Sequence, residues 1–379
     1  MHSIIGAGIA GLSCSISLTE KNIDHEIFDK YSKNSPKAYG IQISPNASNI
    51  LRKLGVLEKI IPQMHKIETI ELISARDEKT LTCLPIGKFA RERYHSDYYT
   101  INRNTLHESL RNLAEENKTV INYNSEITST CVTEENTSIS INKNTTHHTN
   151  TVILSSGINS ESLYPATQKI LRKKLKFRAF RATLNKNEIP LNLEMNKVNV
   201  WLGDTMHLVV YPIDVNVFNF VLIAKEKYYN KVNKTIDGGN LPGNISKKIN
   251  ELISSIQWES WSLNESCTIQ KNNFNLPIFS IGDSAHPMPP HLAQGAGMAL
   301  EDGYVLAEIL ASKRTTEEMH QEYYKKRFSR VNKVIRNANM NGGIFHLNGV
   351  LEHIRNMYLK NLSGDFHLSK YDWLYNYKV

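Results

Sequence analysis

Short continuous or alternating apolar runs, the mark of strands, recur along this chain and are interleaved with stretches that read as helices. Ser3-Ile4-Ile5 reads as the end of a short strand, and Leu12 to Thr19 as the helix that follows it. His25-Glu26-Ile27-Phe28-Asp29 reads as a second strand ending on an acid. Ile67 to Ile86 and Leu175 to Ile223 are strand-like throughout; Val198-Asn199-Val200-Trp201 and Phe218 to Ile223 are the clearest runs. Pro277 to Ile281 predicts another short strand, with a helix starting near Gln294 to Gly297, and Glu317 to Arg336 is charged and helical. Asp237 to Gly243 is a loop by composition, and Glu134 to Asn150, dense in Thr, Asn and Ser, predicts surface hairpin turns. No internal repeat is visible. The class expected is α/β.

The first strand and helix are joined by Gly6, Gly8 and Gly11 in G-x-G-x-x-G spacing. Gly6 permits a tight turn, Gly8 lets backbone approach a pyrophosphate, and Gly11 allows the helix to pack closely on the strand, while the helix N-terminus favours negative charge. Asp29 stands about 20 residues downstream, where a carboxylate accepts the hydroxyls of a ribose. This Rossmann-like pattern predicts a dinucleotide with an unphosphorylated adenosine ribose, NAD or FAD, and does not choose between them. The opening segment has the length of an export-signal core, but it lacks Lys or Arg ahead of the apolar run and its glycines are regularly spaced.

Composition narrows the class further. With 379 residues, 40% apolar and 22% charged, the chain is long enough for one large or two interlocked domains of ordinary globular character. Its formal charge of +8 is scattered, Arg172-Lys173-Lys174 with Lys176 being the richest group, so nucleic-acid binding is not expected. No run reaches the roughly 18–20 apolar residues of a membrane span. Cys14, Cys83, Cys131 and Cys267 lie far apart, which argues against zinc and against a disulfide scaffold and suits a reducing cytoplasm. His147-His148 is not expected to bind metal, because neighbours on a strand face opposite ways and no acidic partner is near in sequence.

A second signature lies far from the first. Gly282-Asp283-Ser284-Ala285-His286-Pro287 is followed by Gln294-Gly295-Ala296-Gly297 and Glu301-Asp302. This combination resembles the second FAD motif of the class A flavoprotein aromatic hydroxylases. The resemblance extends over nearly the whole chain. Ala38 to Asn46, including Gly40 and Ile41, is similar to the family's loop beside the isoalloxazine, and Thr100 to Leu106 to the helix whose Arg, here Arg103, reaches the FAD phosphates or ribose. Trp201-Leu202-Gly203, Met206 to Pro212, Phe345-His346-Leu347 and Tyr371 to Tyr375 resemble the salicylate hydroxylase-like branch.

The resemblance implies a Rossmann-like FAD domain interleaved with a β-sheet substrate domain, plus C-terminal helices. The FAD domain is expected over 1–72, 98–165 and 270–345, the substrate domain over 73–97 and 166–269, and a helical segment over 346–379. Asp283 would hold the ribityl chain, and the helix opening at Gly295, Ala296 and Gly297 would face the pyrimidine end of the flavin. The implied activity is hydroxylation of a small phenolic or carboxylated aromatic, using NADH or NADPH and O2 through a flavin C4a-hydroperoxide. No metal is called for, and the chain would act as a monomer or homodimer. His207 and Tyr211, four apart on a strand and so on one face, are the candidates for activating and binding the phenol, with Arg181, Pro290 and Gln294 beside the ring. His286 belongs to the motif in a structural role. Trp258-Glu259-Ser260-Trp261 differs in spacing from the tryptophan pair of flavin halogenases and reads as core or surface aromatics.

One departure stands out. Val152 to Ser160 aligns with the family's Asp-Gly segment, implicated in FAD and NAD(P)H binding, but Ser156 occupies the place of the Asp. It keeps open a redox-inactive FAD-binding ligand carrier or sensor; the enzymatic alternative is a hydroxylase or epoxidase of the ubiquinone-pathway type with the same fold.

Overall fold

The computed structural model describes residues 1–33, 39–133, 137–164, 173–230, 235–236, 245–265, 275–312 and 314–379. The loop expected over Asp237–Gly243, part of the hairpin stretch (134–136), Ala38, Arg172 and Cys267 lie outside the described residues.

Two strands and a helix open the chain: β1 (His2–Ile5), α1 (Ile9–Glu20) and β2 (His25–Phe28). They form the middle of a five-stranded sheet ordered Ile278–Ser280, Thr151–Leu154, β1, β2, Val120–Asn122. Every pairing in it is parallel, with Ile5 opposite both Leu154 and Phe28. Because helices cover both faces of such a sheet, its strands read as continuous apolar runs. α1 is buried from Ile9 to Leu18. Its small residues serve packing: a Cβ on Gly303 of the crossing helix would fall 2.6 Å from the Cys14 nitrogen and 2.8 Å from the Ala10 oxygen. Ser13 Oγ donates to the Leu300 carbonyl across the same contact.

A seven-stranded sheet draws its strands from both segments expected to be strand-rich. Its order is Glu259–Glu265, Lys173–Asn185, Val217–Lys225, Met206–Asp214, Lys197–Leu202, Thr69–Ser74, Thr80–Leu84, antiparallel except where Lys197–Leu202 meets Thr69–Ser74. Phe180, Phe218 and Phe220 are fully buried on it. A smaller sheet of Gly40–Ile43, Tyr99–Asn102 and His65–Lys66 packs on the seven-stranded one and bridges it to the helices Arg103–Glu116 and Gly295–Leu310. Gly40 N–H donates to Asn219 Oδ1 at 2.7 Å, and Thr100 Oγ1 to the Pro212 carbonyl at 2.6 Å. The expected hairpin is present as Thr137–Ile141 paired with Thr145–Thr149. His147 does have an acidic partner: Nε2 lies 2.8 Å from Glu26 Oε1, a contact between strands far apart in sequence that no local pattern shows. Among the described residues no three His, Cys, Asp or Glu side chains are arranged to hold a metal, and no helix is long and apolar enough to cross a membrane.

Five of the further helices bear on the site and its surroundings: α2 (Arg103–Glu116), α3 (Gly295–Leu310), α4 (Thr316–Phe345), α5 (Gly349–Asn361) and α6 (Gly364–Ser369). A fully buried ion network joins α3 to α4. Arg327 donates from Nη1 to Glu301 Oε2 and from Nε to Asp302 Oδ1, both at 2.7 Å. Arg330 grips Glu301 with two bonds of 2.6 Å and reaches the carbonyls of Trp373 and Leu374. Burial alone would push both carboxyls up. The arginine charges, joined by His286 at Asp302, reverse this and hold them below their ordinary 4.5 and 3.8. The stabilisation they supply is thus complete above those values and lost as the pH falls below them.

Arg327→Met leaves buried charge without its partner and is expected to cost about 3–5 kcal/mol. By contrast, Lys59→Met at the exposed Lys59–Glu116 pair should cost no more than ~1 kcal/mol. Guanidinium denaturation of both variants checks the contrast.

Candidate active site

The glycine turn between β1 and α1 has the geometry that its spacing implies. Gly6 adopts φ +106°, and a Cβ there would stand 2.8 Å from the Ser155 oxygen. A Cβ on Gly11 would fall 2.1 Å from the Gly6 oxygen, so only glycine lets the helix begin this close to the strand. Gly8 is the N-cap of α1, with no side chain capping the helix and no acid in its first turn. Asp29 stands beside this turn: Oδ2 accepts from Ala7 N–H at 2.6 Å and Oδ1 from Tyr31 N–H at 2.8 Å.

The second turn abuts the first. Gly282 (φ +59°) would bring a Cβ within 2.9 Å of the Ala10 methyl on α1. Its N–H donates to Asp302 Oδ2 at 2.8 Å, and His286 Nε2 bonds the same oxygen, so His286 has the structural role expected of it. Asp283, next in the turn, is exposed. α3 then starts at Gly295 with Ala296 half-buried and Gly297 buried in its first turn, again with no side-chain cap and no acid. No atom lies within 4 Å of where a Gly295 Cβ would stand. Both helix N-termini therefore offer backbone N–H groups to an anion. This pair of uncapped, glycine-lined turns fits the charged and polar parts of FAD.

Between the turns and the large sheet lies a layer of aromatic and cationic groups. Gly40 is packed so tightly that a Cβ would meet the Tyr211 ring at 2.6 Å, and Ile41 beside it is half-buried opposite Ile101. Arg103, the first residue of α2, lies 5.5 Å from the Tyr39 ring centre. Arg181 is stacked between Tyr39 at 4.4 Å and Trp261 at 4.2 Å. Burial lowers the Arg181 pKa, and its Nε has no hydrogen-bond partner. Burial pushes the Tyr211 phenol up, partly offset by Arg181 and by a hydrogen bond with Gln42.

His207 and Tyr211 share one face of Met206–Asp214, both buried. His207 Nδ1 and His346 Nε2 are joined by a 2.8 Å hydrogen bond, and the His291 ring centre is 5.1 Å from that of His207. Burial, reinforced by mutual repulsion, holds His207 well below 6.5, and burial lowers His291 to about 4 and His346 to about 3. All three are neutral at physiological pH. Nδ1 of both His291 and His346 lacks a partner.

Pro290 opens the short turn that carries His291. Gln294 is buried, and its amide is engaged within the protein: Nε2 donates to Ser44 Oγ at 3.0 Å, and Oε1 accepts from Asn46 at 3.1 Å. Asn46 also donates to Glu301 Oε1. Sequence reading had not assigned a site role to His291, His346, Gln42 or Trp261. His291 could have been suspected from its place between Pro290 and Gln294; His346 stood in a segment that carried the resemblance, but its pairing with His207, 139 positions away, had no local signal.

A parallel sheet, two uncapped glycine turns at one end of it, and an aromatic layer beneath define a dinucleotide-binding flavoprotein fold. The chain belongs to the FAD binding domain family, which matches residues 2–338. It is 27% identical over 393 aligned positions to 3-amino-4-hydroxybenzoate 2-monooxygenase PtnB3 of Streptomyces platensis, covering 100% of this chain and 96% of that protein. The structure of Klebsiella pneumoniae HpxO complexed with FAD and uric acid superposes with a TM-score of 0.81 at 17% identity, over 98% of this chain and 95% of that one. A salicylate hydroxylase substrate complex gives 0.75 at 18%, over 100% and 95%. The fold is that of these proteins, and the chain is a flavoprotein monooxygenase that uses FAD.

Gly295→Asp tests the second turn without disturbing the fold, since the site has room for a side chain and an acid suits a helix N-terminus. The expected outcome is unchanged secondary structure by circular dichroism and FAD binding at least about tenfold weaker, because the new carboxylate competes for the same N–H groups.

Proposed function

We propose that this enzyme hydroxylates a small aromatic bearing a phenol and a carboxylate, with electrons from NADH or NADPH and one oxygen atom from O2. The observation that carries the reading is the neutral, buried His207, on one strand face with Tyr211 and next to the loop that ends in the second FAD turn. Bound FAD supplies the redox chemistry. The chain's own residues do the rest.

Neutral His207 takes the phenol proton as the ring becomes electron-rich, and His346 holds the imidazole through Nδ1 so that Nε2 is the nitrogen left for substrate. Tyr211 keeps its own proton because burial raises its pKa, so it donates a hydrogen bond to the substrate rather than repelling an anion. Arg181, with an Nε that lacks a partner, supplies positive charge near the ring, and Tyr39 and Trp261 exclude water around it. Gly6, Gly8, Gly11 and Asp29 hold the adenosine and pyrophosphate half of FAD, Arg103 its phosphates, Asp283 the ribityl chain, and Gly40, Ile41, Gly282, Gly295, Ala296 and Gly297 the flavin half. Pro290 shapes the ring-side loop, and Gln294 acts there as a positioning residue through Ser44 and Asn46. The seven-stranded sheet is the substrate side of the molecule, and a reducing cytoplasm suits the free thiols of Cys14, Cys83 and Cys131.

Ser156 favours a second reading. Its Oγ is buried without a hydrogen-bond partner where the resembling hydroxylases carry a carboxylate. A chain whose flavin is not reduced by pyridine nucleotide would be a binding protein.

Anaerobic titration with NADH and NADPH, alone and with a panel of hydroxybenzoates, separates the two. The hydroxylase reading expects flavin bleaching accelerated by one of the phenols, followed in air by a product heavier by one oxygen. His207→Asn should lower kcat/KM about 10²–10⁴-fold while leaving bleaching intact. Absence of bleaching with every phenol, restored by Ser156→Asp, would favour the binding protein.

A further inference from the structure

Helix α5 is built inside out. Glu352 and Arg355, each only 4% exposed, point into the protein. Glu352 Oε2 accepts from Arg76 at 2.6 Å, and Arg355 donates to the carbonyls of Ile344 at 3.2 Å and Phe345 at 2.8 Å. The opposite face carries Val350, Leu351, Ile354, Met357 and Tyr358, of which Val350 is 75% and Met357 63% exposed. Their spacing of i, i+1, i+4, i+7 and i+8 is one continuous apolar stripe, which on a helix of a folded monomer normally faces the core.

Helix α6 extends the stripe: its Phe366 shares the Lys370 ammonium with the Tyr358 ring, at 4.6 and 4.8 Å. At roughly 120 Å² per aliphatic and 200 Å² per aromatic side chain, just over half of it exposed on average, these six residues leave about 500 Å² of apolar surface in water. That lies toward the top of the range for the largest patch of an ordinary monomer, about 300–600 Å² and often functional, and two such faces together reach the roughly 1,000 Å² that a specific interface needs. Other large exposed apolar residues described, such as Tyr31, Val120 and Val215, lie far from α5 in sequence.

We propose that the chain pairs with a second copy of itself through this face, the α5 helices crossing a two-fold axis. A single helical stripe is self-complementary across such an axis. Its exposed charged rim is small and mixed, Lys360 and Lys370 against Asp365, without the basic face that an interfacial lipid-binding helix presents. The pairing also backs the site: Arg355 braces the end of α4, which carries His346 to His207.

Sedimentation equilibrium of the FAD-loaded protein at about 1–50 μM tests this against a chain mass of 43.2 kDa. The expected result is twice that mass. Ile354→Glu should raise the dimer Kd at least about 100-fold with flavin absorbance and circular dichroism unchanged, and Ile354→Gln should act in the same direction should the acid hinder folding. A single-chain mass at 50 μM overturns the proposal, as does a dimer indifferent to both substitutions. Monomers that sediment with phosphatidylcholine–phosphatidylserine vesicles, and lose this with Ile354→Glu, would assign the face to a lipid surface instead.

Discussion

The arrangement depends most on one buried electrostatic constraint, the grip of Arg327 and Arg330 on Glu301 and Asp302. Four charges sum to zero at buried positions, where an unpaired one would be several kcal/mol uphill. What the network supplies is position. Asp302 holds the Gly282 N–H, Glu301 holds Asn46 and through it Gln294 and Ser44, and Arg330 holds the C-terminal carbonyls of Trp373 and Leu374. One cluster therefore fixes the second glycine turn, the loop after the Gly40 strand and the start of α3 relative to each other. A site that binds an extended cofactor along its length requires this rigidity.

The two glycine turns then act as halves of one surface. α1 and α3 cross at Gly303, and nearer their N-terminal ends the Gly282 turn is wedged between Ala10 of α1 and Ala299 of α3. Neither helix is capped by its own side chains, so the N–H groups left over by each are available to a ligand. Below them the bridging sheet carries Gly40 against Tyr211, which sets the distance between the cofactor loop and the large sheet. On that sheet His207, with His291 and His346 packed against it from a turn and a helix end, is kept neutral by burial, the state in which an imidazole accepts a proton.

Much of this was legible in local sequence. Gly6, Gly8 and Gly11 with Asp29 announced their turn because strand, turn and helix are contiguous and glycine is the residue such geometry demands. The Gly282-Asp283 segment and Glu301-Asp302 were visible as a motif, and the class of flavoprotein with it. The partners of that motif were not: Arg327 and Arg330 sit in a helix crowded with exposed charges, and nothing in their spacing marks them as buried. Gln294 illustrates the same limit, since its residue type and place suggested flavin contact while its amide bonds to Ser44 and Asn46. Pairings such as His207 with His346, and His147 with Glu26, arise from strand order and helix docking, which no local pattern encodes. The outward apolar stripe of α5 is periodic in sequence, but only the inward Glu352 and Arg355 reveal which face it is.

The central claim is that both turns belong to a single FAD site, the first holding the adenosine half and the second the flavin. Titration of the apoprotein with FAD, FMN and riboflavin, followed by quenching of flavin fluorescence, tests it directly. The account predicts one FAD per chain, bound at least about 100-fold more tightly than FMN or riboflavin because only FAD engages the turn at Gly6 to Gly11. Equal affinity for FAD and riboflavin would mean that this turn contributes nothing, and would contradict the account.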